Sequence, residues 1–174
     1  MGLYRMHKEF EDYLYNKIMS FPAFILAKLI EPDMEFNDIH EIDEHRIKDF
    51  KENYGIEAII LDVDQTIRND DREIPECSKQ WINLIKRNFK VIVLSNGWSQ
   101  DAQKYFKSQG IDYIYLAFKP AKWGFKLACK SLGVRPDHVL VIGDSLYDDI
   151  HGAHKNNMMA AQVKKVKEDE DFER

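Results

Sequence analysis

Four short apolar runs, each breaking off at a polar residue and each followed by a helical pattern, constrain this chain more than any other feature of its sequence. They are "EAIILDV" (residues 57–63), "FKVIVLSNG" (89–97), "IDYIYLAF" (111–118) and "DHVLVIGD" (137–144), with a short fifth strand expected in "MAAQVKKV", at 159–166. A continuous apolar run of strand length is what a strand covered on both faces requires. Between them lie helical patterns at 77–88, 99–110, 120–133 and 145–157. Ser99 suits the N-cap of the second, and Gly110 and Gly133 suit the ends of the second and third. Strands alternating with helices predict an α/β fold, a doubly wound parallel sheet of about five strands. In such sheets ligands sit beyond the carboxyl ends of the strands.

The polar residues of the chain converge on that rim. Asp62, Asp64 and Thr66 follow the first run, Ser95 and Asn96 the second, Lys119 the third, and Asp144, Asp148 and Asp149 the fourth. Carboxylates a few ångströms apart repel unless a cation or a proton lies between them. Asp62, Asp64, Asp144 and Asp149 therefore call for a strong cation, and oxygen-only ligands suit Mg²⁺. Lys119 alone is too little charge for four carboxylates, but it suits a bridge between an aspartate and a phosphate. Ser95 and its neighbouring amides can donate to anionic oxygens. Metal, lysine and hydroxyl together describe a phosphoryl site, where catalysis is mostly positioning and charge stabilisation. One carboxylate can attack phosphorus, and a second can protonate the leaving alcohol and then activate water.

Bulk properties narrow the field. The 174 residues allow one domain with a real core. A formal net charge of −5 argues against nucleic acid as a partner. Cys77 and Cys129 match no zinc spacing and read as reduced thiols in a cytoplasmic protein. His151 and His154 read as a polar helix face, and Trp81 and Trp123 as packing.

Residues 1–55 read as an N-terminal helical extension, 56–166 as the catalytic domain, and 167–174 as a charged tail. Leu3, Met6, Phe10, Leu14, Ile18 and Phe21 form an amphipathic stripe that suits packing against a domain. The apolar run "FPAFILAKLI" covers only ten residues, against about 20 for a membrane span. Contact with a membrane would be peripheral. The stretch from Asp33 to Gly55 reads as a charged connector with a helix at its end.

Four stretches also carry a family resemblance. "DVDQT" resembles the D-x-D-x-T motif of the haloacid dehalogenase-like phosphohydrolases. "VLSN" is similar to their second motif, Lys119 in "FKP" to their third, and "VIGDSLYDD" to their G-D-x-x-x-x-D fourth motif. The resemblance spans roughly Glu57 to Val163. It implies Asp62 as nucleophile and metal ligand, and Asp64 as general acid and base that also offers the metal its backbone carbonyl. It implies Thr66 as a support of the loop, Ser95 as a phosphate ligand, and Lys119 as the group that steadies phosphate and nucleophile. Asp144 would ligate Mg²⁺, Asp149 would act through water or by supporting the residues that hold the metal, and Asp148 falls on a variable position. Asn96, beside Ser95, joins the phosphate-binding set.

"GDSLYDDIHGAHKNN", the "FKP" spacing and "FPAFILAKLIEPD" point further, to the capless branch containing YqeG-type proteins and phosphatidylglycerophosphate phosphatases. Two positions depart from the pattern. Gln65 stands where asparagine is common, and Asn157 where glycine closes the helix, a place asparagine can fill. The links after Thr66 and after Asn96 leave no room for a cap domain. An uncapped rim admits a lipid headgroup or phosphoprotein, or is covered by a second copy in a homo-oligomer. Phosphatidylglycerophosphate leads as substrate, which would place the chain in phospholipid metabolism. A sugar, nucleotide or protein phosphate is the alternative, and a non-catalytic phosphate-binding module the reading from a different class.

Overall fold

The computed structural model describes residues 29–69, 73–164 and 166. The N-terminal stripe, most of the apolar run after Phe21 and the charged tail lie outside the described residues. The compact unit that carries the sheet begins at Pro32.

Six parallel strands form one sheet. In chain order they are β1 (Met34–Phe36), β2 (Ala58–Leu61), β3 (Lys90–Leu94), β4 (Asp112–Ile114), β5 (Val139–Gly143) and β6 (Met159–Val163), arranged β1-β6-β5-β2-β3-β4. The sheet thus has one strand more than the five expected. The addition, β1, comes from the segment read as a connector and pairs with β6 through Met34–Ala161 and Phe36–Val163. Three residues with only Phe36 buried are too short to show a period of two. The third run also forms less strand than its length suggests. After Ile114 the chain leaves the sheet, with positive φ at Leu116 and Phe118 and a cis peptide between Lys119 and Pro120.

Four longer helices connect the strands: α1 (Glu44–Glu52), α2 (Glu76–Asn88), α3 (Gln100–Ser108) and α4 (Lys122–Leu132). Side chains of alternate strand positions serve opposite faces. Ile59, Leu61, Val93, Leu140 and Ile142 share one core with Ile47, Phe50, Trp81, Ile82, Ile85 and Phe106. On the opposite face Leu94 meets α4 where a Cβ at Gly124 would lie 3.3 Å from Leu94 Cδ1. The expected caps are present: Ser99 accepts from the Ala102 amide, and Gly110, Gly133 and Asn157 adopt positive φ.

The central strand β2 is buried at all four positions and lies between β5 and β3. From β2 the chain proceeds to one side through β3 and β4, then returns to the other through β5 and β6. That reversal makes a crevice at the carboxyl ends of β2 and β5. Among the described residues no cap domain stands over it. The links from β2 to α2 and from β3 to β4 are short, the latter holding only α3.

Candidate active site

Each strand end at the crevice delivers its polar residue. Asp62 follows β2 directly, its amide donating to the Ile142 carbonyl of β5 at 2.9 Å. The chain then closes a tight turn. Ile67 donates to the Val63 carbonyl at 3.0 Å, and Gln65, at φ 60°, donates to the Arg68 carbonyl at 2.8 Å. This turn brings the Thr66 hydroxyl back to Asp62, where Oγ1 donates to Oδ2 at 3.1 Å. The Asp-x-Asp-x-Thr spacing therefore places Thr66 as a support of Asp62.

Lys119 lies at the centre of the site. Its Nζ donates to Asp62 Oδ1 and to Asp149 Oδ1, both at 2.6 Å, and all three side chains are buried. Its backbone is clamped by Asn96, whose Oδ1 accepts from the Lys119 amide at 2.6 Å and whose Nδ2 donates to the Lys119 carbonyl at 3.2 Å. Asn96 was grouped with the phosphate ligands from its position beside Ser95. Its amide here engages the lysine backbone at both ends. Ser95 is buried after β3, and its Oγ accepts from the Gly97 amide at 3.1 Å.

The fourth strand end supplies Asp144 and, through a π-helical turn at Leu146–His151, Asp149. Such wide turns recur at functional sites. Here the turn carries Asp149 back against β5, where its Oδ2 accepts from the Ser145 amide at 3.1 Å. A Cβ on Gly143 would lie 2.3 Å from Asp149 Cγ, so glycine at this position leaves the room the carboxylate occupies. Carboxylate oxygens of Asp62, Asp144 and Asp149 lie within 4.8 Å of one another. An all-oxygen donor set of this span fits Mg²⁺.

The electrostatics match that fit. Burial pushes Asp144 up to about 8, reinforced by the charges of Asp62 and Asp149 and opposed by Lys119. Burial likewise raises Asp62 and Asp149, with Lys119 opposing in both cases. Burial disfavours the charge on Lys119, but Asp149 and Asp62 outweigh it and hold the ammonium protonated well above the ordinary lysine range. One lysine does not neutralise three carboxylates, two of them buried, so the site favours a further positive charge or bound protons.

Asp64 stands apart from this cluster. Its Oδ1 accepts from Arg68 Nε at 2.8 Å and lies 2.7 Å from Nη2. Arg68 falls in no motif of the sequence, and Tyr113 reads there as packing. An arginine four residues after Asp64 is visible in the sequence, yet only the tight turn turns that spacing into a part-buried ion pair. Tyr113 arrives beside the site through its register opposite Val93 of β3. Burial raises its phenol. His154 pairs with Asp33 at 3.0 Å, and His151 stacks on Tyr147. Neither Cys77 nor Cys129 forms a disulfide among the described residues.

Comparison with known proteins matches this geometry to a family. The model for haloacid dehalogenase-like hydrolases matches residues 5–156. The probable phosphatase YqeG of Bacillus subtilis is 26% identical over 150 residues, covering 85% of each chain. The glyceraldehyde 3-phosphate phosphatase of Pyrococcus furiosus is 28% identical over 102 residues, covering 53% of this chain and 42% of that protein. Among solved structures, a haloacid dehalogenase family enzyme of Bacteroides thetaiotaomicron, in complex with magnesium and inorganic phosphate, shares the fold. Its TM-score is 0.55 at 14% identity, over 69% of this chain and all of that one.

Proposed function

The chain belongs to the haloacid dehalogenase-like hydrolase family and is a phosphatase, and from that premise we propose that it hydrolyses phosphomonoesters through an aspartyl-phosphate on Asp62 with Mg²⁺ as cofactor. The observation that carries this reading is Lys119, held 2.6 Å from both Asp62 and Asp149, with Asp144 completing an oxygen cluster at the strand ends. Bound Mg²⁺, held by Asp62, Asp144 and Asp149 with the Asp64 carbonyl, would supply positive charge for the carboxylates and the phosphoryl oxygens.

The chain's own groups perform the steps. A carboxylate oxygen of Asp62 attacks phosphorus while the bond from phosphorus to the ester oxygen breaks. Asp64, protonated, gives its proton to the departing oxygen, so that an alcohol leaves. Asp64, now a carboxylate, takes a proton from water as that water attacks phosphorus. The bond to Asp62 breaks, and inorganic phosphate leaves with Asp62 and Asp64 restored. Ser95 and the amides after it bind the phosphoryl oxygens. Lys119, steadied by Asn96, holds Asp62 in place and offsets charge that develops in transfer. Thr66 keeps Asp62 oriented.

The substrate in this reading is phosphatidylglycerophosphate, reached from the cytoplasm by peripheral contact with a membrane. The uncapped rim and the "FPAFILAKLIEPD" resemblance support it. Exposed Trp98 and Phe118, on the loops that carry Ser95 and Lys119, add apolar surface there. Among the described residues no helix is long and apolar enough to cross the membrane. A small sugar phosphate is the second reading, favoured by the likeness to a glyceraldehyde 3-phosphate phosphatase.

Phosphate release with and without Mg²⁺, across phosphatidylglycerophosphate, glyceraldehyde 3-phosphate, a nucleoside monophosphate and a phosphopeptide, tests both. Release that needs Mg²⁺ and is fastest on the lipid supports the first reading. An Asp62→Asn variant should lose turnover and keep its fold, and retained turnover would refute Asp62 as nucleophile.

A further inference from the structure

Arg68 is a buried cation at the edge of the site. Its side chain is 3% exposed, while that of its partner Asp64 is 37% exposed. A buried guanidinium is costly unless its donors are satisfied, so its neighbours show what holds it. Nε and Nη2 both reach Asp64 Oδ1, at 2.8 and 2.7 Å, and Nη1 donates to Ser99 Oγ at 3.1 Å. Ser99 is the N-cap of α3. The guanidinium plane is therefore anchored at one side on the loop that follows Ser95, and at the other it grips Oδ1 of Asp64.

The other oxygen points elsewhere. A Cβ on Gly97 would lie 3.5 Å from Asp64 Oδ2 and 3.7 Å from Ser95 Oγ. Oδ2 thus faces the loop whose hydroxyl and amides are suited to phosphoryl oxygens. Guanidinium hydrogens can only be accepted, so Oδ1 must present lone pairs to Arg68. When the Asp64 carboxyl carries a proton, that proton sits on Oδ2.

We infer that Arg68 is a positioning residue that holds Asp64 through Oδ1 and so presents Oδ2 as the oxygen that gives the proton to the leaving group and takes it from water. The inference rests on Asp64 being the general acid and base. A merely structural ion pair closing the turn would produce the same two distances, but it would not care which ester is cleaved.

The leaving group tells the two apart. p-Nitrophenolate departs with little need of a proton, whereas an alkoxide such as that from glycerol 3-phosphate needs one. In the 174-residue protein with Mg²⁺, Arg68→Met should lower kcat/KM, which reports the steps up to departure of the alcohol, on the alkyl ester by about 10- to 100-fold, a part of what positioned acid catalysis contributes. Its kcat/KM on p-nitrophenyl phosphate should fall less than about 3-fold. Arg68→Lys keeps the charge but has one donor group in place of the fork. It should recover part of the alkyl-ester rate, and it carries the same comparison if the methionine variant does not fold. Parallel losses on both esters, or no loss on either, overturn the inference. Asp64→Asn is the control for the underlying reading. If it is also indifferent to the leaving group, Asp64 is not the acid and the inference falls with it. If it is selective and the Arg68 variants are not, only the inference fails. A wild-type protein that cleaves neither ester, nor any member of the panel above, refutes the proposed function itself.

Discussion

Replacing Gly143 by alanine tests how the fourth strand end builds the site. The added Cβ would lie 2.3 Å from both Cγ and Oδ2 of Asp149 and 2.7 Å from its Cβ. Carbon and oxygen atoms approach comfortably only at about 3.5 Å, so Asp149 must withdraw by roughly 1 Å. Its bonds to Lys119 at 2.6 Å and to the Ser145 amide at 3.1 Å are then stretched or lost. Each hydrogen bond to a charged group contributes about 1.5–3 kcal/mol, and overpacking alone costs about 1–3 kcal/mol. A loss of about 3–5 kcal/mol follows, allowing for partial relaxation. Denaturant unfolding without Mg²⁺ measures it. The diagnostic comparison is a double-mutant cycle with Asp149→Ala. With Cγ and Oδ2 gone, only the 2.7 Å contact to Cβ remains, so the cost of Gly143→Ala should fall by more than half. An additive cycle, or a Gly143→Ala protein within about 0.5 kcal/mol of wild type, would refute the idea that Asp149 determines this glycine.

Two further outcomes follow from the charge arrangement. Lys119→Met leaves Asp62 and Asp149 buried without their shared cation, which should cost about 3–5 kcal/mol without metal and cut phosphate release by at least about 100-fold; thermal unfolding and kcat check the two parts separately. Asp144 is raised in the folded protein, to about 8 from 3.8, so the folded state binds more protons than the unfolded one between those values. Metal-free stability should therefore fall as pH rises from about 4 to 8. Mg²⁺ requires the deprotonated carboxylate, so its stabilising shift in Tm should be larger at pH 8.5 than at pH 6. Equal shifts at the two pH values would contradict this assignment.

Much of the molecule is legible in one dimension because its signals are local. Apolar runs of strand length state that β2 and β5 are covered on both faces, and the alternation with helices makes their pairing parallel. Position at a strand end is a property of the sequence too, so Asp62, Ser95, Lys119 and Asp144 could be placed on one rim. Ser99, Gly110, Gly133 and Asn157 declare their caps by residue type.

Other features depend on what lies opposite, which no local pattern records. β1 is a strand because β6 offers it an edge, and three residues carry too little periodicity to say so. Gly143 must be glycine because a carboxylate from the following π-turn stands in the place of its side chain. Asn96 stands beside Ser95 in the sequence, but only the return of the chain after β4 brings the Lys119 backbone to its side-chain amide. Arg68 is an ordinary surface residue by composition. The turn at Gln65 and the arrival of Ser99 bury it, leaving Asp64 one oxygen directed at the site. The sequence by itself determined which chemical groups reach the crevice; burial, register and close packing decided which atoms of those groups face one another.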